Sequence, residues 1–259
     1  MVHSIQRTFA VTGMLAWRAI ILVRRMPSVF IPSLVMPLFI LVATSGAFRA
    51  IGQLPALGGS SYLAFTIPLA TVMGGGFAGV NAGMTLARDI EGGFVDRLIA
   101  SPAPRISLIA GPLTAAAIRS IFTTTVVLTA GLIGGVGLPG IGGTLVIYLM
   151  ALGFSAAAAC WSMGVALRAR SVQSASLMQV VVFVSVFTSV AYAPRPLLSG
   201  WLRTVADWNP VTRLLESSRA VEFSGLDWDT LGPGLLAIAI MLVVLGTFAL
   251  TGLVQLVRR

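Results

Sequence analysis

The sequence predicts an all-α polytopic membrane protein with six transmembrane helices, and three observations carry that prediction. Of 259 residues, 57% are hydrophobic and only 10% charged, a balance outside that of soluble domains. Six stretches, 28–48, 62–87, 106–133, 141–167, 172–193 and 232–257, are apolar over the length that a membrane-crossing helix requires. A hydrocarbon core about 30 Å thick needs roughly 20 such residues. None of the stretches alternates with period two, so they read as helices, which satisfy their own backbone groups, and not as barrel strands. The chain is one transmembrane domain over 1–259, with a flank over 1–27 and six spans over 28–257.

Arginine sets the orientation, because all 17 basic residues are arginine and lysine is absent. With the N-terminus inside, Arg7, Arg18, Arg24, Arg25, Arg88, Arg97, Arg105, Arg168, Arg170, Arg258 and Arg259 fall on the inner side. Arg49, Arg195, Arg203, Arg213 and Arg219 fall outside, and the last four share one long loop with five acids, which lowers their weight in the positive-inside count. The expectation is a multi-pass protein of the cytoplasmic membrane with both termini cytoplasmic. The net charge of +9 then reflects topology and contact with anionic membrane lipids. Nucleic acid is not expected as a partner, since the arginines form no continuous stripe.

Along the flank, Ile5, Phe9, Ala16, Trp17, Ile20 and Ile21 recur near helical spacing among Arg7, Arg18, Arg24 and Arg25. This reads as an amphipathic helix on the cytoplasmic interface, with a plain topogenic flank as the simpler alternative. The same arginines interrupt the segment before any long apolar core, so no cleavable signal peptide is expected. Pro27, Pro32 and Pro37 punctuate span one, where neighbouring helices can re-satisfy the freed carbonyls. In span two, Gly75, Gly79 and Gly83 place three bare positions on one face, a pattern that favours close helix packing over ligand binding.

Between spans five and six lies a polar stretch too long for a turn. Leu197, Leu198, Trp201, Leu202 and Val205 predict a short amphipathic helix, Asn209-Pro210 breaks it, and Val211, Leu214, Leu215 and Ala220 predict a second. Trp201, Trp208 and Trp228 suit the headgroup zone, so the two are expected as short, re-entrant-like external helices resting at the outer membrane surface.

What is missing narrows the function. None of the eight acids falls inside the six stretches, which disfavours a carrier driven by a proton or sodium gradient. A phosphate-cradling P-loop needs its lysine, and there is none. The spans hold neither a nucleophile beside a His or Asp base nor paired carboxylates, so neither a hydrolase nor a lipid-modifying enzyme is indicated. A single cysteine, Cys160, and a single histidine, His3, supply neither an internal disulfide nor a His/Cys metal cluster. Energy, if it is used, comes from a partner through a cytoplasmic contact. A passive channel or assembly scaffold without such a partner is the alternative.

The segment RDIEGGFVDRLIASPAPR, Arg88 to Arg105, is the candidate contact. Ile90, Phe94, Val95, Leu98 and Ile99 share one helical face, and Arg88, Asp89, Glu91, Asp96 and Arg97 occupy the rest. Gly92 and Gly93 weaken the helix or kink its start, and Pro102 and Pro104 end it. So short an amphipathic helix needs a surface, which periodicity alone leaves open between lipid, the chain's own spans and a soluble partner.

The pattern Asp89-x-x-x-Gly93-x-x-Asp96-Arg97-x-x-x-x-Pro102-x-x-Arg105, followed by Gly111 and Arg119, resembles the cytoplasmic signature of ABC-2 type permeases. It is most similar to the branch of daunorubicin-resistance drug exporters. Arg25-x-Pro27, Pro37, Phe187-x-Ser189, Pro194, Trp201-Leu202, Asn209-Pro210-x-Thr212 and Arg219 extend the resemblance over nearly the whole chain. It implies the membrane subunit of an ATP-driven exporter of a hydrophobic drug or lipid. ATP and Mg would sit on a separate ABC ATPase subunit, with no cofactor on this chain, and a second permease subunit, identical or a sister, would complete the unit. By this resemblance Asp89, Ile90, Glu91, Gly93, Phe94, Asp96, Arg97, Leu98 and Pro102 form a coupling helix seated on the ATPase, with the N-terminal helix as a second contact. Trp201, Asn209, Pro210, Glu216 and Arg219 belong to the outer helices that cap the exit. Similar members often carry an acid three residues before Arg119, where this chain has Ala116. Arg119 is read either as snorkelling to the cytoplasmic interface or as pairing with a carboxylate or carbonyl near the path.

Overall fold

The computed structural model describes residues 11–14, 16–18, 21, 27–47, 61–101, 104–224 and 227–258, and those residues are all-helical with no strand. Helix α1 spans Pro27–Ala47, α2 Tyr62–Glu91, α3 Phe94–Ile99, α4 Ser107–Ile133 and α5 Gly140–Ala169. After a short 3₁₀ turn at Val172–Ser174 come α6 (Ala175–Phe187), α7 (Gly200–Trp208), α8 (Pro210–Ser224) and α9 (Trp228–Val257). Helices α2, α4, α5 and α9 are long and apolar enough to cross a membrane, and apolar segments of α1 and of 172–187 are shorter. Residues 11–14, 16–18 and 21 are helical, and the remainder of the expected interfacial helix lies outside the described residues.

Everything is arranged around α2, the most enclosed of the long helices, which lies against α5 and is flanked by α4 and α1. The glycine stripe produces this contact. A Cβ on Gly75 would fall 2.5 Å from the Ala151 carbonyl oxygen, and one on Gly79 the same distance from that of Ser155. One on Gly83 would collide with Ser162. Backbone therefore lies directly on backbone, which in lipid is how two apolar helices gain van der Waals contact that lipid tails do not already provide. Ser162 Oγ fastens the seam by donating to the Gly79 carbonyl at 2.9 Å.

Two apolar clusters fill the bundle. One joins Val72, Met150, Phe154, Leu214, Leu215 and Ile238, and the other joins Leu86, Val95, Leu108, Met163, Met178 and Leu253 at the opposite end. The two helices expected between the last spans differ sharply in burial. Helix α7 is exposed, with only Ala206 buried, but α8 packs against α5 and α9 and buries Val211, Leu214, Leu215 and Val221. It is part of the bundle's packed core, unlike the exposed α7. The reason is its sequence: it carries apolar residues on the inward face and small or hydrogen-bonded polar ones, Thr212, Ser217, Ser218 and Arg219, among them.

The stretch 172–193 is also not one continuous helix, because α6 stops at Phe187. Side chains from elsewhere take the carbonyls that a continuing helix would have used. Arg219 donates to Val190 O at 2.6 Å and to Ala191 O at 2.9 Å, and its Nε bonds Phe65 O of α2 at 3.1 Å. Tyr62 Oη donates to Tyr192 O at 2.9 Å, and Asn209 Nδ2 to Ser185 O at 2.6 Å. Buried acceptors need partners, and these donors supply them where the helix ends.

Candidate functional site

The charged run begins as the last turn of α2. The helix ends at Glu91, the chain turns through Gly92 and Gly93, and α3 restarts at Phe94. Gly93 sits at φ 65°, the left-handed region that suits glycine, so the pair breaks the predicted helix in two and re-aims its second half.

The apolar face of this segment turns back on the chain itself. Val95 is buried, and Ile90, Leu98 and Ile99 pack against the cluster formed by α2, α4, α5 and α9. Of the three surfaces left open by periodicity, the described contacts are with the protein's own helices.

Its charges divide into two groups. Asp89 accepts a two-pronged contact from Arg18, 2.9 Å from Nη1 to Oδ2 and 2.7 Å from Nη2 to Oδ1. The same guanidinium lies 4.0 Å from the centroid of the Phe94 ring. Arg18 thus clasps the end of α2 and the start of α3 together from the N-terminal segment. Glu91 Oε1 accepts the Val172 backbone N–H at 2.7 Å, tying the same turn to the loop between α5 and α6. Asp96 and Arg97 are exposed, with Arg97 Nε donating to the Gly93 carbonyl at 3.2 Å. Pro102 lies outside the described residues.

Four parts of the chain therefore meet at one node: the N-terminal segment, the end of α2, the start of α3 and the loop at Val172. Phe94, Asp89 and Glu91 hold it together, and Asp96 and Arg97 face outward. Sequence reasoning placed Arg18 on the amphipathic flank but did not select it as a site residue. Only the tertiary contact reveals its partner, 71 residues away.

At the opposite end, Asn209 starts α8 as an N-cap followed by proline at the first helical position, its Oδ1 accepting the Val211 N–H at 2.9 Å. Glu216 bonds Arg195 and lies 3.8 Å from Arg213, and Arg195 reaches Asp207 at 3.2 Å. Arg219 is buried over the Phe65 ring, 3.6 Å from its centroid. Trp201 is exposed.

Arg119 is buried in the bundle. It is 7% exposed and stands 12 residues beyond Ser107, about 18 Å along α4 at 1.5 Å per residue. No acceptor for its Nε is found among the described residues, and the same holds for the neighbouring Ser120 and Thr124 hydroxyls. Ala116, one turn below, is fully buried, and its carbonyl accepts from Ser155 Oγ at 3.4 Å. No cluster of three or more His, Cys, Asp or Glu side chains that could hold a metal exists among the described residues.

Comparison with known proteins matches this sequence to the ABC-2 type transporter family over residues 11–223. The chain belongs to the ABC-2 type transporter family. Members of this family are the membrane subunits of transport systems and are not themselves catalytic. The chain is 27% identical to the daunorubicin resistance ABC transporter permease protein DrrB1 of Streptomyces coeruleorubidus over 207 residues, 78% of this chain and 71% of that one. It is 24% identical to the proposed transport permease ycf38 of Pyropia yezoensis over 214 residues, 82% and 73% of the two chains. With its counterpart in Porphyra purpurea it shares 27% over 218 residues, 83% and 74%. The match to the ABC-2 family begins at residue 11, so it takes in the N-terminal segment that carries Arg18, the α3 node and the buried α8.

Proposed function

We propose that this chain is the membrane-spanning subunit of an ATP-driven exporter, which moves a hydrophobic drug, lipid or related compound outward across the cytoplasmic membrane. Family membership over residues 11–223 is the observation that carries this reading. The permease crosses six times, with α1 and the 172–193 stretch as the two further spans, and keeps both termini in the cytoplasm. It works with a second permease subunit, identical or a sister, and two copies of a separate ABC ATPase that bind ATP and Mg. A chain without lysine has no P-loop of its own, which is why hydrolysis belongs to the partner.

The α3 node is the coupling element. Asp96 and Arg97 meet the ATPase and fix register, while Val95, Leu98 and Ile99 anchor α3 to the bundle so that a push on it reaches α2, α4 and α5. The Arg18 clasp carries the N-terminal segment along as part of the same lever. Nucleotide-dependent closure of the ATPases then biases a rearrangement of the spans through a contact whose strength differs between the two states.

Charge reversal at the outward pair tests this and removes one internal contact, the bond from Arg97 Nε to the Gly93 carbonyl. Asp96→Arg combined with Arg97→Glu abolishes co-purification with the cognate ABC ATPase and ATP-dependent export from vesicles, while the purified permease keeps its thermal stability. Wild-type association together with wild-type export in that variant would sink the proposal.

A further inference from the structure

A second charged feature lies away from the α3 node, where α5 and α9 end side by side. Leu167, Arg168, Arg170, Gln255, Leu256 and Arg258 line a recess of ≈ 400 Å³, with three arginines and no acidic side chain among the described lining residues. We propose that this recess binds the phosphate of an anionic membrane phospholipid.

The recess is built, not incidental. Arg168 lies flat across α9: its Nη1 donates to Gly164 O at 2.9 Å and to Phe248 O at 2.7 Å, and its Nη2 to Thr251 Oγ1 at 2.7 Å. Its guanidinium covers the Phe248 ring at 3.8 Å. Gly252 makes room for it, since a Cβ there would fall 2.7 Å from Nη1. An arginine has five N–H donors in a rigid fork, so Arg168 is fixed in place with donors to spare.

Arg170 supplies an independent observation. It caps α5 at φ 53°, the only non-glycine residue at positive φ among the described residues. Glycine takes this C-terminal position without strain, whereas an L side chain there carries a backbone cost. An arginine held in that conformation at the rim of a cationic recess points to a use for its side chain.

The recess opens at the ends of two helices long and apolar enough to cross a membrane, which is the depth of lipid headgroups. On α9, Val254 and Leu250 are exposed apolar side chains about one and two turns from Arg258 toward the middle of the helix, a track for an acyl chain leading away from a phosphate. A phosphate bound in this way receives the paired N–H donors that guanidinium presents. The inference requires that α5 and α9 span the membrane, but it does not require an ATPase or export.

The test uses the full chain purified in a neutral detergent and titrated with dioleoylphosphatidylglycerol or dioleoylphosphatidylcholine, with retained lipid counted by native mass spectrometry. The wild type retains one phosphatidylglycerol in preference to phosphatidylcholine. Arg170→Gly weakens that retention about 5-fold while leaving thermal stability equal or higher, and Arg170→Gly with Arg258→Gln weakens it about 25-fold, following roughly 1 kcal/mol for each arginine near the headgroups. Arg203→Gln, on exposed α7, changes nothing. Equal retention of the two lipids, wild-type retention in the double variant, or displacement of phosphatidylglycerol by millimolar inorganic phosphate overturns the assignment. Because no ATPase is present, failure here is distinguishable from failure of the exporter reading.

Discussion

Replacing Arg18 by alanine separates the N-terminal segment from the node and leaves the bundle intact. Two hydrogen-bonded contacts to Asp89 and one ring contact to Phe94 are lost together. The Asp89 side chain is 16% exposed and that of Arg18 39%, so water screens the pair and its charge-assisted bonds count well below their buried worth. A paired arginine–carboxylate contact at such exposure is worth about 1 kcal/mol, and the stacked ring adds about 0.5 kcal/mol. The sum, about 1.5 kcal/mol, corresponds to roughly tenfold in an opening equilibrium. Amide hydrogen exchange reads that equilibrium directly. In Arg18→Ala, amides of residues 11–14, 16–18 and 94–99 exchange about tenfold faster, whereas those in the middle of α2 and α5 do not change. Arg18→Lys falls between, because an ammonium keeps the charge but not the fork. Combining Arg18→Ala with Asp89→Ala costs about 1 kcal/mol less than the two changes made separately. Unchanged exchange in Arg18→Ala, or strict additivity in the double variant, refutes the clasp.

Four further outcomes follow from the same geometry. Gly79→Ala destabilises the permease by about 1–3 kcal/mol through overpacking against Ser155 and Ala158, while Gly46→Ala, with open space around it, is nearly neutral; thermal unfolding in detergent compares them. Arg219→Leu strips the donors from Phe65, Val190 and Ala191 and costs about 3 kcal/mol or more, with Arg219→Lys recovering part, read in the same assay. Arg119→Leu removes a charge with no acceptor at its Nε and raises stability by about 2 kcal/mol, on the scale of the cost of arginine at a helix centre; a loss of stability would reveal a partner. In a Cys160→Ala background, an impermeant maleimide labels Trp208→Cys from outside intact cells and Arg97→Cys only after permeabilisation; the reverse pattern overturns the proposed orientation.

Much of this protein was legible in the sequence because the constraint behind it is local. A helix must satisfy its own backbone in hydrocarbon, so the apolar stretches had to be helices, and the observed ends at Ala47, Tyr62, Ile133 and Gly140 fall within a residue or two of those predicted. The spacing of Gly75, Gly79 and Gly83 announced a packing face, and Asn209-Pro210 announced a break, since both signals act within one helical turn. The glycine pair at 92–93 was legible as a weak point, and the backbone made it a left-handed break.

What the sequence could not assign were partners, because contacts between distant segments leave no periodic trace. Arg18, Arg168, Arg195 and Arg219 are equivalent letters in a one-dimensional count of charge. In three dimensions one clasps a carboxylate, one lies across Phe248, one joins Glu216, and one holds carbonyls where α6 has ended. The burial of α8 and the early stop of α6 have the same origin. Composition determined that this chain folds as apolar helices; tertiary structure decided which arginines those helices need for themselves and which they leave facing outward.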